Sequence, residues 1–239
     1  NEKPGKISDM FKALFKNDQA MTVVVSIILV YTSINICGNL VLYFFRFDVG
    51  NEGAYSIFAA VAFAAQVLVM MVIPLLRKKF SKSQLFISGF IIQIVGFAVI
   101  LIMAFAKLYT PQSWYILCLP GVLIYLGYGM LNVIMTIFLS DSVDYGEVMN
   151  GTREESVIFS MQTFTVKLAS GVAVFLAGLI VDWIHLDTSA TVQTQDTLDA
   201  LRMWMTIPSV ILLIVGIFVF KRFYKLDDAR MEEIKSKLN

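Results

Sequence analysis

The sequence predicts an all-α integral membrane protein, a six-transmembrane-helix bundle, and three observations lead there. Residues of the hydrophobic class fill 58% of 239 positions and charged residues only 15%, a balance far from that of soluble domains. The apolar residues gather into six runs, each near the roughly 20 residues that a helix needs to cross a hydrocarbon core of about 30 Å. The runs are continuous, whereas the strands of a closed barrel alternate in segments of about ten residues.

The predicted spans are residues 21–45, 54–73, 85–105, 113–139, 156–184 and 200–220. Ahead of the first, Ile7, Met10, Phe11, Leu14 and Phe15 recur at helical spacing with Lys12 and Lys16 outside the stripe. That pattern predicts an interfacial helix over 6–16 lying along the membrane. After the last span, Leu226, Arg230, Ile234 and Leu238 recur every four residues, with Asp227 and Asp228 at the start and Lys235 and Lys237 near the end. This predicts a second amphipathic tail helix over 226–238, its charges matched to the helix dipole.

Lys and Arg crowd one side of the predicted bundle. Lys3, Lys6, Lys12 and Lys16 precede the first span; Arg77, Lys78, Lys79 and Lys82 join the second to the third; Arg153 joins the fourth to the fifth; Lys221, Arg222, Lys225, Arg230, Lys235 and Lys237 follow the sixth. The opposite side receives Arg46, Lys107 and Arg202. By the positive-inside rule both termini are expected in the cytoplasm. The chain starts without Met or a cleavable signal pattern, so a fragment or a processed chain is expected.

Several function classes lose support. A net charge of +1 gives no reason to expect a nucleic-acid partner. Cys37 and Cys118 lie in apolar runs and are expected to act as small hydrophobes, with no disulfide framework or metal site. The single histidine, His185, has no partnered nucleophile, and neither a phosphate-cradling Gly loop nor a dinucleotide fingerprint is present, so an enzyme is not expected.

The residues that are expensive to place in lipid point toward function. Lys167 lies about eleven residues into the fifth span, roughly 16 Å of rise, where an ammonium costs about 2.5–3.5 kcal/mol even on the mild insertion scale. Gln162, Thr163, Val166 and Lys167 share one helix face. Asn35 and Asn39 form a second polar stripe in the first span, and Asn132 and Thr136 a third in the fourth. Two readings follow: a hydrogen-bonded seam that holds the bundle, or the lining of a shared water-filled cavity. No Asp or Glu lies at comparable depth in a span, so the partner of Lys167 is expected in a second, missing bundle. Ala169, Ala173 and Ala177 permit close helix approach.

After the fourth span come Asp141, Asp144 and Glu147, then Arg153, Glu154 and Glu155. This is either a solvated loop or a set of ion pairs that breaks and reforms as two bundles rock. The spacing is not that of a calcium loop.

The run Asp141-Ser142-Val143-Asp144-Tyr145-Gly146-Glu147, then Gly151-Thr152-Arg153-Glu154-Glu155-Ser156, then Phe159-Ser160-Met161-Gln162-Thr163 and Lys167, resembles the carboxyl-half signature of the glycoside, pentoside and hexuronide cation symporters. The resemblance covers nearly the whole chain. It implies the C-terminal half of a twelve-helix major facilitator fold, whose first and last three spans are inverted repeats, working by alternating access in a bacterial inner membrane. It also implies that Gln162, Thr163, Val166 and Lys167 line the sugar and cation cavity, which Asn35 and Asn132 join by their stripes. Asp141, Asp144, Glu147 and Arg153 are implied to make cytoplasmic charge contacts between bundles. No cofactor is implied beyond a coupling cation, Na+ or H+ with Li+ as a further candidate, bound mainly by the absent N-terminal half. The implied partners are that six-helix bundle, a sugar and the lipid bilayer. The sequence departs from the family pattern at Asn132, where a galactoside transporter has a cavity-facing tryptophan. A lysolipid transporter of the same fold, or a non-transporting sensor or scaffold, are the rival readings.

Overall fold

The computed structural model describes residues 15–238. The predicted helix over 6–16 falls almost wholly outside them. Six helices among the described residues are long and apolar enough to cross a membrane. They are α1 (Asp18–Tyr43, continuing as a π-helical segment Phe44–Val49), α2 (Ala54–Leu76), α3 (Lys82–Phe105), α4 (Cys118–Asn150, entered through a 3-10 turn Trp114–Leu117), α5 (Glu155–Trp183) and α6 (Gln195–Phe223). A shorter helix, α7 (Asp228–Leu238), follows.

Local sequence sets the helix ends. The side chain of Asn17 accepts from the Ala20 amide at the start of α1, and Thr194 does the same for Thr197 at the start of α6. Ser81 and Gln84 form a reciprocal capping box on α3. Each such cap satisfies a backbone donor that the helix itself cannot. Gly151 closes α4 in the left-handed conformation, φ 72°, which glycine adopts without a Cβ penalty. The fourth helix therefore extends well beyond the predicted limit of 139. The polar residues after Leu139 mark where the helix leaves an apolar environment, and the stop signal is Gly151.

The core is made by α3 packing on α4, α2 on α4, α1 on both α5 and α6, and α3 on α6. Small residues allow the closest approaches: a Cβ on Gly127 of α4 would sit 2.5 Å from the Gly89 carbonyl oxygen of α3. At one end Phe86, Phe138 and Phe220 form a buried aromatic group, with Phe86 and Phe138 centroids 5.1 Å apart and Phe138 stacked on Phe220 at 5.2 Å. The start of α1 is tied to the same end, where the Asn17 side-chain amide donates to the Ser142 carbonyl at 2.7 Å and Gln19 accepts from the Lys225 amide at 2.8 Å.

The tail helix packs there too. Leu226, Met231 and Ile234 are buried against Tyr145, Val148 and Tyr224, while Arg230 is exposed. The four-residue stripe of the sequence is thus replaced by one running through Met231. Arg77 reaches Asp228 at 3.2 Å and Lys82 lies 3.5 Å from the same carboxylate. Burial opposes ionisation of Asp228, but the Arg77 hydrogen bond and the two positive charges outweigh it and hold its carboxyl below the usual range.

The apolar surface is unlike that of a soluble domain. Phe63, Leu68, Met71 and Leu75 on α2, and Leu168, Phe175 and Trp183 on α5, are exposed. Surface of this extent calls for lipid or a protein partner.

Candidate functional site

Three helices bring polar faces together. Tyr31, Asn35 and Asn39 lie along α1, Tyr128, Asn132 and Thr136 along α4, and Gln162, Thr163 and Lys167 along α5. The Asn132 side-chain amide donates to the Tyr31 hydroxyl at 2.8 Å, and the Tyr31 and Tyr128 rings meet edge to face with centroids 5.5 Å apart. Asn35 donates to the Tyr31 carbonyl at 2.7 Å, and Asn39 donates to the Asn35 carbonyl at 2.7 Å. Each asparagine on α1 therefore spends one amide hydrogen on its own helix and keeps its side-chain oxygen for another partner. Gln162 donates to the Thr136 hydroxyl at 3.4 Å, linking α5 to α4, while Thr136 and Thr163 back-bond to Asn132 and Phe159 within their own helices.

The orientation of α5 follows from its small residues. Met161, Thr165, Ala169, Ala173 and Ala177 form its buried side, and α5 packs chiefly on α1. That packing turns Thr163 and Lys167 outward, where both are exposed, and leaves Gln162 and Val166 half-buried. Among the described residues Lys167 makes no hydrogen bond or ion pair. A mid-span ammonium with neither water nor a counter-charge is costly, so its chemistry calls for a polar cavity or a carboxylate on a surface packed against this face.

The charged residues after the fourth apolar run separate into two groups. Arg153 donates to Glu147 at 2.8 Å, to Asp144 at 3.0 Å and to Glu155 at 3.1 Å. The hydrogen bonds to Glu147, Glu155 and Asp144 raise the guanidinium pKa above its ordinary value. Asp141 does not join them. Asp141 and Asp144 lie about 60° apart around α4, but α3 packs against the side that carries Asp141, which points inward to a buried ion pair with Lys82. The expected set Asp141, Asp144, Glu147 and Arg153 is therefore one buried pair beside one exposed cluster. Lys82, which counted only toward orientation in the sequence, is 5% exposed overall and bonds to Asp141 across the α3–α4 interface.

At the opposite end a further ionic group was not evident from spacing. Arg202 of α6 donates through Nε to Asp48 at 3.0 Å, through Nη1 to Asp199 at 2.7 Å, and through Nη2 to Asp48 again. The Tyr109 hydroxyl also donates to Asp48. The side chains of Arg202 and Asp48 are only 4% and 3% exposed. A separation of 154 residues hides the pair in sequence; the available signal was Arg202 at i+3 from Asp199 on a helix that otherwise turns apolar.

Residues 1–228 match the family described as MFS/sugar transport protein. The chain belongs to this family. It is 25% identical over 234 residues to the raffinose carrier protein of Pediococcus pentosaceus, covering 97% of this chain and 35% of that protein. It is 25% identical over 233 residues to the uncharacterized symporter YjmB of Bacillus subtilis, covering 98% and 49%. It is 24% identical over 223 residues to the isoprimeverose transporter of Lactiplantibacillus pentosus, covering 92% and 44%. The chain thus spans between about a third and a half of the length of these curated relatives. With six apolar helices and no strand among the described residues, the bundle is a half of a major facilitator fold in a multi-pass membrane protein.

Proposed function

We propose that this chain is the C-terminal half of a cation-coupled sugar symporter of alternating-access type. The observation that carries the proposal is Lys167, an unpaired ammonium in the middle of an apolar helix, on a face shared with Gln162 and Thr163 and set beside Asn35 and Asn132. Relatives named as raffinose and isoprimeverose transporters, and one named a symporter, support the substrate class and the coupling.

In this reading a second six-helix bundle covers the polar face and supplies the carboxylate that Lys167 lacks. Lys167, Gln162, Thr163, Asn35 and Asn132 bind sugar hydroxyls or orient the acidic groups of the other half, and Val166 shapes the wall. Tyr31 and Tyr128, packed around Asn132, offer aromatic surface for a sugar ring where the family pattern has tryptophan. The driving cation, Na+ or H+ with Li+ as a further candidate, is held mainly by the other bundle. The exposed cluster of Asp144, Glu147 and Arg153 meets that bundle on the cytoplasmic side, and both termini face the cytoplasm of a bacterial inner membrane. Coupling requires sugar and cation to favour each other's binding, and Lys167 is the residue proposed to tie the two halves.

The test is uptake of labelled glycosides, pentosides and uronides into vesicles carrying the uninterrupted transporter, with and without sodium or proton gradients. Gradient-driven accumulation is the expected result, and Lys167→Ala is expected to abolish it at normal expression. Equilibration without accumulation would point to a facilitator or sensor, and competition by lysolipid rather than sugar would reassign the substrate. Normal accumulation by Lys167→Ala would sink the role given to that residue.

A further inference from the structure

A separate cleft lies between α1 and α5, toward the end of the bundle that holds Asp48 and Arg202. It has a volume of about 520 Å³, and its lining includes Asn39, Tyr43, Val174, Phe175, Gly178 and Asp182. Helical geometry sets it on the same front as the candidate site. At 100° per residue, Val174 and Gly178 fall within about 20° of Lys167 around α5, and Asp182 within about 60°. Asn39 follows Asn35 by one turn of α1. Gly178 and Asp182 lie about 16 and 22 Å from Lys167 along the axis at 1.5 Å per residue. One ordinary sugar molecule does not fill both places, so the cleft is a second station on the same face.

Its polar groups are unspent. Among the described residues the Asp182 carboxylate accepts no hydrogen bond and pairs with no cation, and the Tyr43 hydroxyl has no partner. Asn39 uses one amide hydrogen on the Asn35 carbonyl and keeps its side-chain oxygen free. A carboxylate and an amide oxygen seek donors, and a phenol can give or accept. Beside them Phe175 exposes its ring. An ion coordinated by oxygens needs no aromatic wall and no cleft of this size, whereas a polyol brings hydroxyl donors for the acceptors and a C–H face for the ring. The volume lies within the usual range for small-molecule sites.

We infer that the Asn39–Tyr43–Asp182 cleft is a second, lower-affinity sugar station that receives or releases the substrate at the end of the pathway remote from the termini. This rests on the sugar-transport reading. It adds to that reading a site with its own residues, and it makes Asp182 the acceptor for sugar hydroxyls, with Phe175 as the stacking surface.

The test is the number of labelled sugar molecules bound per complete transporter at saturation, measured by equilibrium dialysis with a sugar that the parent accumulates. Two per transporter are expected in the parent. Asp182→Asn and Tyr43→Phe are each expected to weaken the second site about tenfold, the loss of one charged or neutral hydrogen-bond partner, and to leave the first unchanged. Lys167→Ala is expected to remove the first and leave the second. Thermal unfolding of each variant within about 2 °C of the parent shows that loss of binding is not loss of fold. One sugar per parent transporter, unaffected by Asp182→Asn, overturns the second station while the transport reading stands. Loss of the same single sugar in Asp182→Asn and Lys167→Ala also overturns it, because the two residues would then share one site. A shift in cation affinity alone on Asp182→Asn overturns it in favour of an ion site. No bound sugar in the parent overturns the transport reading itself.

Discussion

Replacing Arg202 with Ala leaves Asp48 in a pocket where its side chain is 3% exposed, with the Tyr109 hydroxyl as its remaining side-chain donor. Arg202 makes two hydrogen bonds to Asp48 and one to Asp199, but the partners are not equivalent. The Asp199 side chain is 35% exposed, so water takes over its lost bond and that part of the interaction is discounted. Asp48 cannot be re-solvated without opening the end of α1, and removing one member of a buried pair costs about 3–5 kcal/mol. At about 2–4 °C per kcal/mol for a chain of this size, the thermal midpoint of the purified protein in micelles is expected to fall by roughly 6–20 °C. The double variant Asp48→Asn, Arg202→Met removes both charges and keeps an acceptor for Tyr109. Exchanging a buried pair for neutral groups is often close to neutral, so at least half of the lost stability is expected to return. An Arg202→Ala midpoint within about 2 °C of the parent would show that the pair is not buried in solution. A double variant less stable than Arg202→Ala would show that the loss comes from packing, including the Phe105 ring beneath the guanidinium, and not from stranded charge.

The docking of α7 is expected to depend on acid. The carboxyl pKa of Asp228 is lowered in the folded protein, so its contribution is present above the unfolded carboxylate range, near 3.9, and is lost as pH falls through the lower folded value. Amide exchange in Asp228–Leu238 is therefore expected to be flat between pH 6 and 8, after correction for intrinsic rates, and to accelerate below about pH 4. Acceleration between pH 6 and 8 would assign the docking to another group. Gly127→Ala places a methyl group 2.5 Å from the Gly89 carbonyl oxygen and is expected to cost about 1–3 kcal/mol through overpacking, read as a lower thermal midpoint; an unchanged midpoint would mean that α3 and α4 are not in contact there.

The parts of this molecule that sequence makes legible are those set by short-range periodicity. Six apolar runs announce six helices because each must satisfy its own backbone in lipid, and the three- and four-residue spacing of Gln162, Thr163, Val166 and Lys167 puts them on one face whatever the neighbours do. The limits of α4 were less legible, because the eye follows polarity to Leu139 whereas the backbone follows the helix until Gly151 turns it. Ionic pairing was the least legible. Asp141 and Asp144 are one turn apart and look like one cluster, yet α3 packs against one side of α4 and takes Asp141 for Lys82, leaving Asp144 for Arg153. Asp48 and Arg202 are likewise joined only because α1 packs on α6. Among the described residues Lys167 is a mid-span charge that packing within the bundle leaves without a partner. The same α1–α5 contact that buries Ala169, Ala173 and Ala177 forces its ammonium away from the bundle. Gln93, at the middle of α3, also lacks a side-chain partner among the described residues, but it is neutral and fully buried, whereas Lys167 carries a charge that hydrocarbon does not solvate; that difference is why the proposed function gives Lys167, and not Gln93, a polar cavity shared with another surface.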